Sequence, residues 1–268
     1  MTSAVVMYSG GIGSWAAARL ILDRYDTITL LFTDVRGEDE DCYRFIRESA
    51  AAMPDHVTLA WVTEGRTIWD VFKDDKFLGN SRLANCSKFL KQKPAADWLA
   101  ANADPDADIV IGIDWTETHR IPAVENAYKP RRVLFPLTEY GQTLTKDQML
   151  AWCRTTGLEP PAMYAKGYPH ANCGGGCVRA GHGQFLRLLL TDRDRFMEWE
   201  ANEQDVREHL GRDDVAILRD RSGGASVPLT LREFRQRVDD DQQQTLDLID
   251  VGGCGCFVQE EHHQGENV

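Results

Sequence analysis

The sequence predicts an α/β protein built on a doubly wound, mostly parallel sheet, with a Cys-rich, mainly helical C-terminal part. Three observations predict it. Short apolar runs alternate with helix-like stretches through residues 1–160, the pattern of strands joined by crossover helices. The first run passes through a turn rich in glycine and serine straight into a helix. Beyond Pro160-Pro161 the alternation stops, and glycine, histidine and cysteine gather.

Residues 4–8 (AVVMY) read as a buried strand, and residues 15–25 as a helix carrying Trp15, Ala18 and Leu22 on one face. Between them lies Ser9-Gly10-Gly11-Ile12-Gly13-Ser14. Glycines let backbone N–H groups approach an anion, the helix N-terminus adds partial positive charge, and Ser9 and Ser14 add hydroxyls. The turn lacks the Walker lysine and the regular dinucleotide spacing, so by itself it also fits a tight strand-to-helix connection. Residues 27–33 (TITLLFT) form a second strand that ends in Asp34. A carboxylate there lies near the ligand crevice of an α/β sheet, where it contacts a ribose or a metal, or else caps a turn. A helix over 38–53 and a strand over 56–63 (HVTLAWVT) follow.

Residues 67–85 are less regular and read as an excursion on the substrate side. Cys86 then stands close to Lys88, Lys91 and Lys93, a setting that lowers a thiol pKa and makes it reactive or ligating. Pro94 sits in the first turn of a helix over 95–101. Residues 108–113 (DIVIGI) read as the fourth strand. The polar cluster from Asp114 to Arg120 stands at its carboxyl end, with Arg120 as a phosphate clamp and Glu117 and His119 as orienting groups. Residues 132–137 read as a fifth strand, and 145–155, 185–190, 195–204 and 230–238 as helices. Residues 217–221 with Ser222-Gly223-Gly224 read as a strand and turn. The expected division is a nucleotide-binding domain over 1–160, a Cys-rich helical region over 161–260 packing on it, and a disordered tail over 261–268.

A net charge of −12 argues against broad non-specific binding of nucleic acid. It leaves room for a local basic groove from Lys88, Lys91, Lys93, Lys129, Arg131 and Arg132. No apolar run approaches the roughly 18 residues of a membrane span, and the expectation is a cytoplasmic protein without membrane contact. Seven cysteines is an odd number, which disfavours a disulfide framework. Cys42 and Cys153 fall inside expected helices and read as packing residues. Cys86, Cys173, Cys177, Cys254 and Cys256 sit among glycine and polar residues. They suit an iron–sulfur cluster, a structural zinc, or a pair that attacks and resolves a sulfur intermediate. The spacings do not choose between cluster and zinc.

The loop at residues 9–14 resembles the PP-loop of the ATP pyrophosphatase superfamily. Within that superfamily the chain is similar to proteins described as phosphoadenosine phosphosulfate (PAPS) reductase-like, many of them carried by bacteriophages. The resemblance rests on that loop, Phe32-Thr33-Asp34, Cys86 with Lys91-x-Lys93-Pro94, Glu117-x-x-Arg120, His170-x-Asn172-Cys173-Gly174-Gly175-x-Cys177-Val178, and Cys254-Gly255-Cys256. It implies a Rossmann-like, adenine nucleotide alpha-hydrolase-like fold. The implied ligand is ATP, PAPS or adenosine phosphosulfate (APS) with Mg2+, bound by Ser9, Gly10, Gly11, Ser14, Asp34, Lys91 and Arg120.

Three activities follow from the resemblance. The first is an adenylating enzyme with Asp34 and Arg120 as catalytic groups. It would use an iron–sulfur cluster held by the five cysteines to pass sulfur from a donor to a nucleic-acid or small-molecule acceptor. The second is a PAPS or APS reductase that releases sulfite, with Cys256 as nucleophile and a thioredoxin-like reductant. The third is a nucleotide-binding subunit of a modification complex. A homodimer is compatible with each. Gly13 stands where pyrophosphatase loops usually place an aspartate.

Overall fold

A computed structural model describes residues 1–139 and 143–240. The strands are β1 (Ser3–Met7), β2 (Thr27–Asp34), β3 (Val57–Thr63), β4 (Asp108–Val110), β5 (Val133–Leu134), β6 (Leu218–Asp220) and β7 (Val227–Leu229). The helices of the first part are α1 (Ile12–Arg19), α2 (Glu40–Ala51), α3 (Ile68–Asp74), α4 (Asn85–Ser87), α5 (Lys93–Asn102), α6 (Ile121–Tyr128), α7 (Pro136–Glu139) and α8 (Lys146–Thr155). Then come α9 (Ala162–Ala165), α10 (His182–Thr191), α11 (Arg193–Leu210) and α12 (Leu231–Asp239). Among the described residues no helix is long and apolar enough to cross a membrane.

β1 to β5 make one wholly parallel sheet in the order β3-β2-β1-β4-β5. This is the Rossmann-like α/β order, in which the direction of winding reverses beside β1. Alternate side chains of the buried strands serve opposite faces. Ala4, Val6 and Tyr8 pack with Trp15, Phe45, Ile46 and Met149 on one side. Val5 and Met7 pack with Leu99, Ile109 and Val124 on the other. Helices cover both faces, which is why the strands read as continuous apolar runs.

A further core joins α3 to the C-terminal helices. Ile68, Val71 and Phe72 pack with Phe185, Leu188, Phe196, Trp199 and Phe234. The stretch expected to be irregular therefore contains a helix. Its start is sealed by a capping box in which Thr67 and Asp70 satisfy each other's backbone N–H groups. Its apolar face meets the C-terminal helices instead of the sheet. The fifth strand is shorter than expected, because Pro136 opens α7. β6 has an antiparallel partner in β7, whose Pro228 masked the strand pattern.

Candidate functional site

A crevice opens at the carboxyl ends of β1 and β4, the adjacent strands at which the sheet order reverses. Met7, Ser9 and residues 11–14 line it from β1 and α1, and residues 111–114 with Glu117 and Arg120 from the end of β4. Lys146, Met149, Tyr164 and residues 169–172 complete it. The volume is about 100 Å³, well below the roughly 300–1,000 Å³ that encloses a drug-sized ligand. The space suits the phosphate end of a ligand, with the remainder outside.

The loop is held from within. Ser14 Oγ donates to the Gly11 carbonyl at 2.9 Å and accepts from Ser9 N–H at 3.2 Å. Gly10 has φ +75°, and a Cβ there would lie 2.8 Å from Cys42 Sγ and Ile46. Gly13 and Gly112 touch backbone to backbone: a Cβ on Gly112 would lie 2.6 Å from the Gly13 carbonyl. The position where pyrophosphatase loops usually carry aspartate is thus closely packed, since a Cβ on Gly13 would sit 3.0 Å from the Gly112 carbonyl. Tyr164, which no local sequence pattern marks, accepts Ile12 N–H at 2.9 Å. Its hydroxyl occupies a donor at the positive end of α1, where an anion oxygen would bind.

Arg120 lines the crevice, and its Nη1 pairs with Glu117 Oε1 at 2.6 Å. Its Nε is buried without a hydrogen-bond partner among the described residues, a donor left for a ligand. Lys146 contributes a second cation and donates to the Pro169 carbonyl at 2.5 Å. Nothing in the sequence marked Lys146, because the helical turn it opens reads only as a capped start. Asp114 and Glu117 add two carboxylates. Asp114 Oδ1 is engaged by Thr116 N–H at 2.8 Å. His119 is exposed and does not line the crevice.

Two expected nucleotide ligands lie elsewhere. Asp34 accepts from Tyr43 Oη at 2.8 Å, Trp61 Nε1 at 3.2 Å and Arg36 N–H at 2.7 Å. It is not a crevice residue; it ties β2 to α2 and β3. Lys91 is 5% exposed and forms a 3.2 Å ion pair with the buried Glu38. The expected basic groove does not form, because Lys91 is buried while Lys93 and Arg131 line separate cavities.

The thiols gather around that ion pair. Glu38 also accepts the backbone N–H of Cys173. The turn at Cys173 and Gly174 is left-handed (φ +55° and +53°). Cys173 and Cys177 share a hydrogen bond, which together with burial pushes the Cys173 thiol well up. Burial pushes Cys86 up to about 12, with the neighbouring Cys173 adding to it. The expectation that lysines lower its pKa is therefore overturned: desolvation outweighs the nearby positive charge. Cys42 and Cys153 are fully buried packing residues, as expected. Among the described residues no group of three or more His, Cys, Asp or Glu could hold a metal ion. Cys254 and Cys256 lie outside the described residues, as does the expected tail.

No protein-family model matches the chain, and no curated protein matches it. Solved structures do resemble it. One is a phosphoadenylyl-sulfate (PAPS) reductase from Candida auris in a phosphate complex, 14% identical with a TM-score of 0.42, covering 62% of this chain and 78% of that one. Another is a predicted subunit of tRNA methyltransferase from Methanocaldococcus jannaschii, 14% identical with a TM-score of 0.29, covering 60% of this chain and 90% of that one. The chain is a Rossmann-like α/β protein with a polar crevice at the switch point of its sheet.

Proposed function

We propose that the chain is a PP-loop-type enzyme that binds an adenine nucleotide, ATP foremost, by its phosphates in this crevice and uses it to adenylate an acceptor. The observation that carries the reading is the convergence at the sheet's switch point. Loop N–H groups, the N-terminus of α1, Arg120 and Lys146 all line one small cleft. Separate stretches of sequence supply these groups.

The residues divide the work by charge. Arg120 and Lys146 neutralise phosphate oxygens, and Arg120 has one buried donor without a partner among the described residues. Asp114 and Glu117 are the carboxylates of the crevice, a donor set that fits Mg2+, which commonly takes one or two carboxylates together with substrate phosphates. The ion would neutralise charge on the leaving pyrophosphate. Glu117 also orients Arg120 through their ion pair.

Sulfur transfer through a cysteine-held iron–sulfur cluster asks for four thiolates. The described residues bring Cys86, Cys173 and Cys177 toward one another as half-buried thiols and do not form a metal site by themselves. Ligation therefore depends on Cys254 and Cys256. Iron and sulfide analysis of the anaerobically purified chain tests this directly. A cluster predicts iron in the parent protein and none in a Cys254→Ser/Cys256→Ser variant.

Nucleotide binding is tested by calorimetry with ATP and Mg2+. Arg120→Ala is expected to weaken binding about 10- to 100-fold, the worth of charged hydrogen bonds of about 1.5–3 kcal/mol. Adenylation predicts pyrophosphate release once an acceptor is supplied. Absence of binding at millimolar ATP overturns the reading. Binding with no pyrophosphate released for any nucleobase or small-molecule acceptor leaves a nucleotide-binding subunit instead.

A further inference from the structure

A second cavity lies outside the crevice, between the loop after α3 and the β6–β7 hairpin. Its volume is about 320 Å³, and it is lined by Asn80, Ser81, Arg82, Arg219, Arg221 and Ser226. Three arginines line one cavity, and none of the described residues of its lining is a carboxylate. In a chain of net charge −12 that is a local inversion of sign. Most arginines described elsewhere in the fold pair with Asp or Glu, as Arg44, Arg66, Arg193, Arg212 and Arg235 do. Among the described residues Arg82, Arg219 and Arg221 form no such pair. The intervening Asp220 is turned to Arg237 at 2.5 Å and to Ser222.

Both sides of the cavity are fixed in advance. Arg219 donates from Nε to Ser226 Oγ at 3.1 Å and from Nη2 to the Ser226 carbonyl at 2.7 Å, so its guanidinium is oriented before any ligand arrives. The hairpin is tied to the start of α10 by a hydrogen bond between His182 Nε2 and the Arg219 carbonyl. On the other side Asn80 Oδ1 accepts the N–H groups of Arg82 and Leu83. Gly79 is seated so closely on Phe72 and Val178 that a Cβ would meet them at 2.7–3.0 Å.

The lining selects the ligand. Guanidinium forks match phosphate in a bidentate way, and the described lining holds no lysine. Three positive charges exceed what one phosphodiester carries, which calls for at least two successive phosphates. Among the described residues no aromatic face lines the cavity, so bases are not stacked on them and recognition is of the backbone. Arg82 and Arg221 are exposed, which suits a strand running past the cavity better than a small molecule enclosed by it. We infer that this cavity is a second anion site, which takes successive phosphate groups of a single-stranded nucleic acid. The inference requires no turnover in the crevice, and it would position an acceptor strand if the nucleobase reading of that site holds.

The test is fluorescence anisotropy of labelled single-stranded DNA and RNA oligonucleotides on the whole chain, across a salt series. The variants are Arg82→Ala, Arg221→Ala and the double Arg82→Ala/Arg221→Ala. Neither side chain makes an ion pair among the described residues, so the melting temperature and ATP affinity should stay at parental values. The double variant is expected to bind at least tenfold more weakly. The slope of log K against log salt should fall by about 1.4, at about 0.7 for each single-strand phosphate that is no longer neutralised. Unchanged affinity and slope would overturn the site, as would no oligonucleotide binding at low salt. A second pyrophosphate-binding event that the double variant loses, without oligonucleotide binding, would overturn the strand in favour of a small diphosphate.

Discussion

Tyr164 shows at the scale of one residue how the site differs from its sequence motif. Its hydroxyl accepts the Ile12 N–H at the head of α1, so a ligand oxygen bound there must displace it. Tyr164→Phe removes the competitor. Nucleotide affinity is expected to rise about three- to tenfold, the worth of one ordinary hydrogen bond of about 0.5–1.5 kcal/mol. Unchanged affinity in titration calorimetry would show that the hydroxyl does not stand in a phosphate position. Asp34 makes the opposite point. Its place at the end of an apolar strand suggested the crevice, but its neighbours Tyr43 and Trp61 turn it into a tie between elements. Those partners come from α2 and β3, and no local pattern could announce them. Arg120 was legible because it follows β4 by a short polar stretch. That its buried Nε has no partner among the described residues emerges only from packing.

At the scale of elements, the loop depends on a glycine in another strand's extension. A Cβ on Gly112 would meet Gly13 C and O at 2.6 Å and Ser14 N at 2.7 Å. These are backbone atoms that cannot step aside. Gly112→Ala is expected to destabilise by about 1–3 kcal/mol in urea titration and to abolish nucleotide binding. Gly13→Ala, facing an oxygen at 3.0 Å, should be milder on both counts. The hairpin has its own sensitive point in Glu203, which is 2% exposed. It accepts Ile217 N–H at 2.8 Å and Leu231 N–H at 2.6 Å, joining α11 to the strands and to α12. Burial pushes its carboxyl up to about 7, against the pull of those two donors. In the unfolded chain it titrates near roughly 4.3, so the folded state holds the proton more tightly. Its contribution is complete below that lower value and is lost as pH rises through about 7. The stability of the parent relative to Glu203→Gln should therefore be greater at pH 5 than at pH 8. A pH-independent difference in denaturant midpoints would remove Glu203 as the cause.

At the scale of the whole molecule, the C-terminal helices shape the cysteine turn. Trp199 packs edge-on against Trp69 at 4.9 Å and against Phe185 at 5.7 Å. A Cβ on Gly176 would overlap its ring, so the turn holding Cys173 and Cys177 is moulded on α11. Arg195 reaches across to the Gly37 carbonyl at 2.8 Å and fills the space that a side chain at position 174 would take. Trp199→Ala is expected to destabilise by about 3–5 kcal/mol, measured by chemical denaturation. It should also expose Cys173 and Cys177 to a thiol reagent that reacts slowly with the parent. Equal labelling rates would mean that the turn holds its shape without α11.

The sequence by itself determined the parallel α/β sheet, its first three strands and the loop at the end of β1. Those features follow from local signals: continuous apolar runs, their alternation with helices, and glycines at one strand end. Only the tertiary structure decided which polar residues share the crevice. It brought Lys146 and Tyr164 in, kept Asp34 and His119 out, and buried Lys91 on Glu38. It also reversed the expected ionisation of Cys86, because desolvation depends on what surrounds the thiol in space and not on which lysines stand beside it in the chain. The physical reason is the same in each case. Periodicity and turn chemistry are properties of neighbours in sequence, whereas burial, charge pairing and hydrogen-bond partnership are set by segments that meet only once the sheet is assembled.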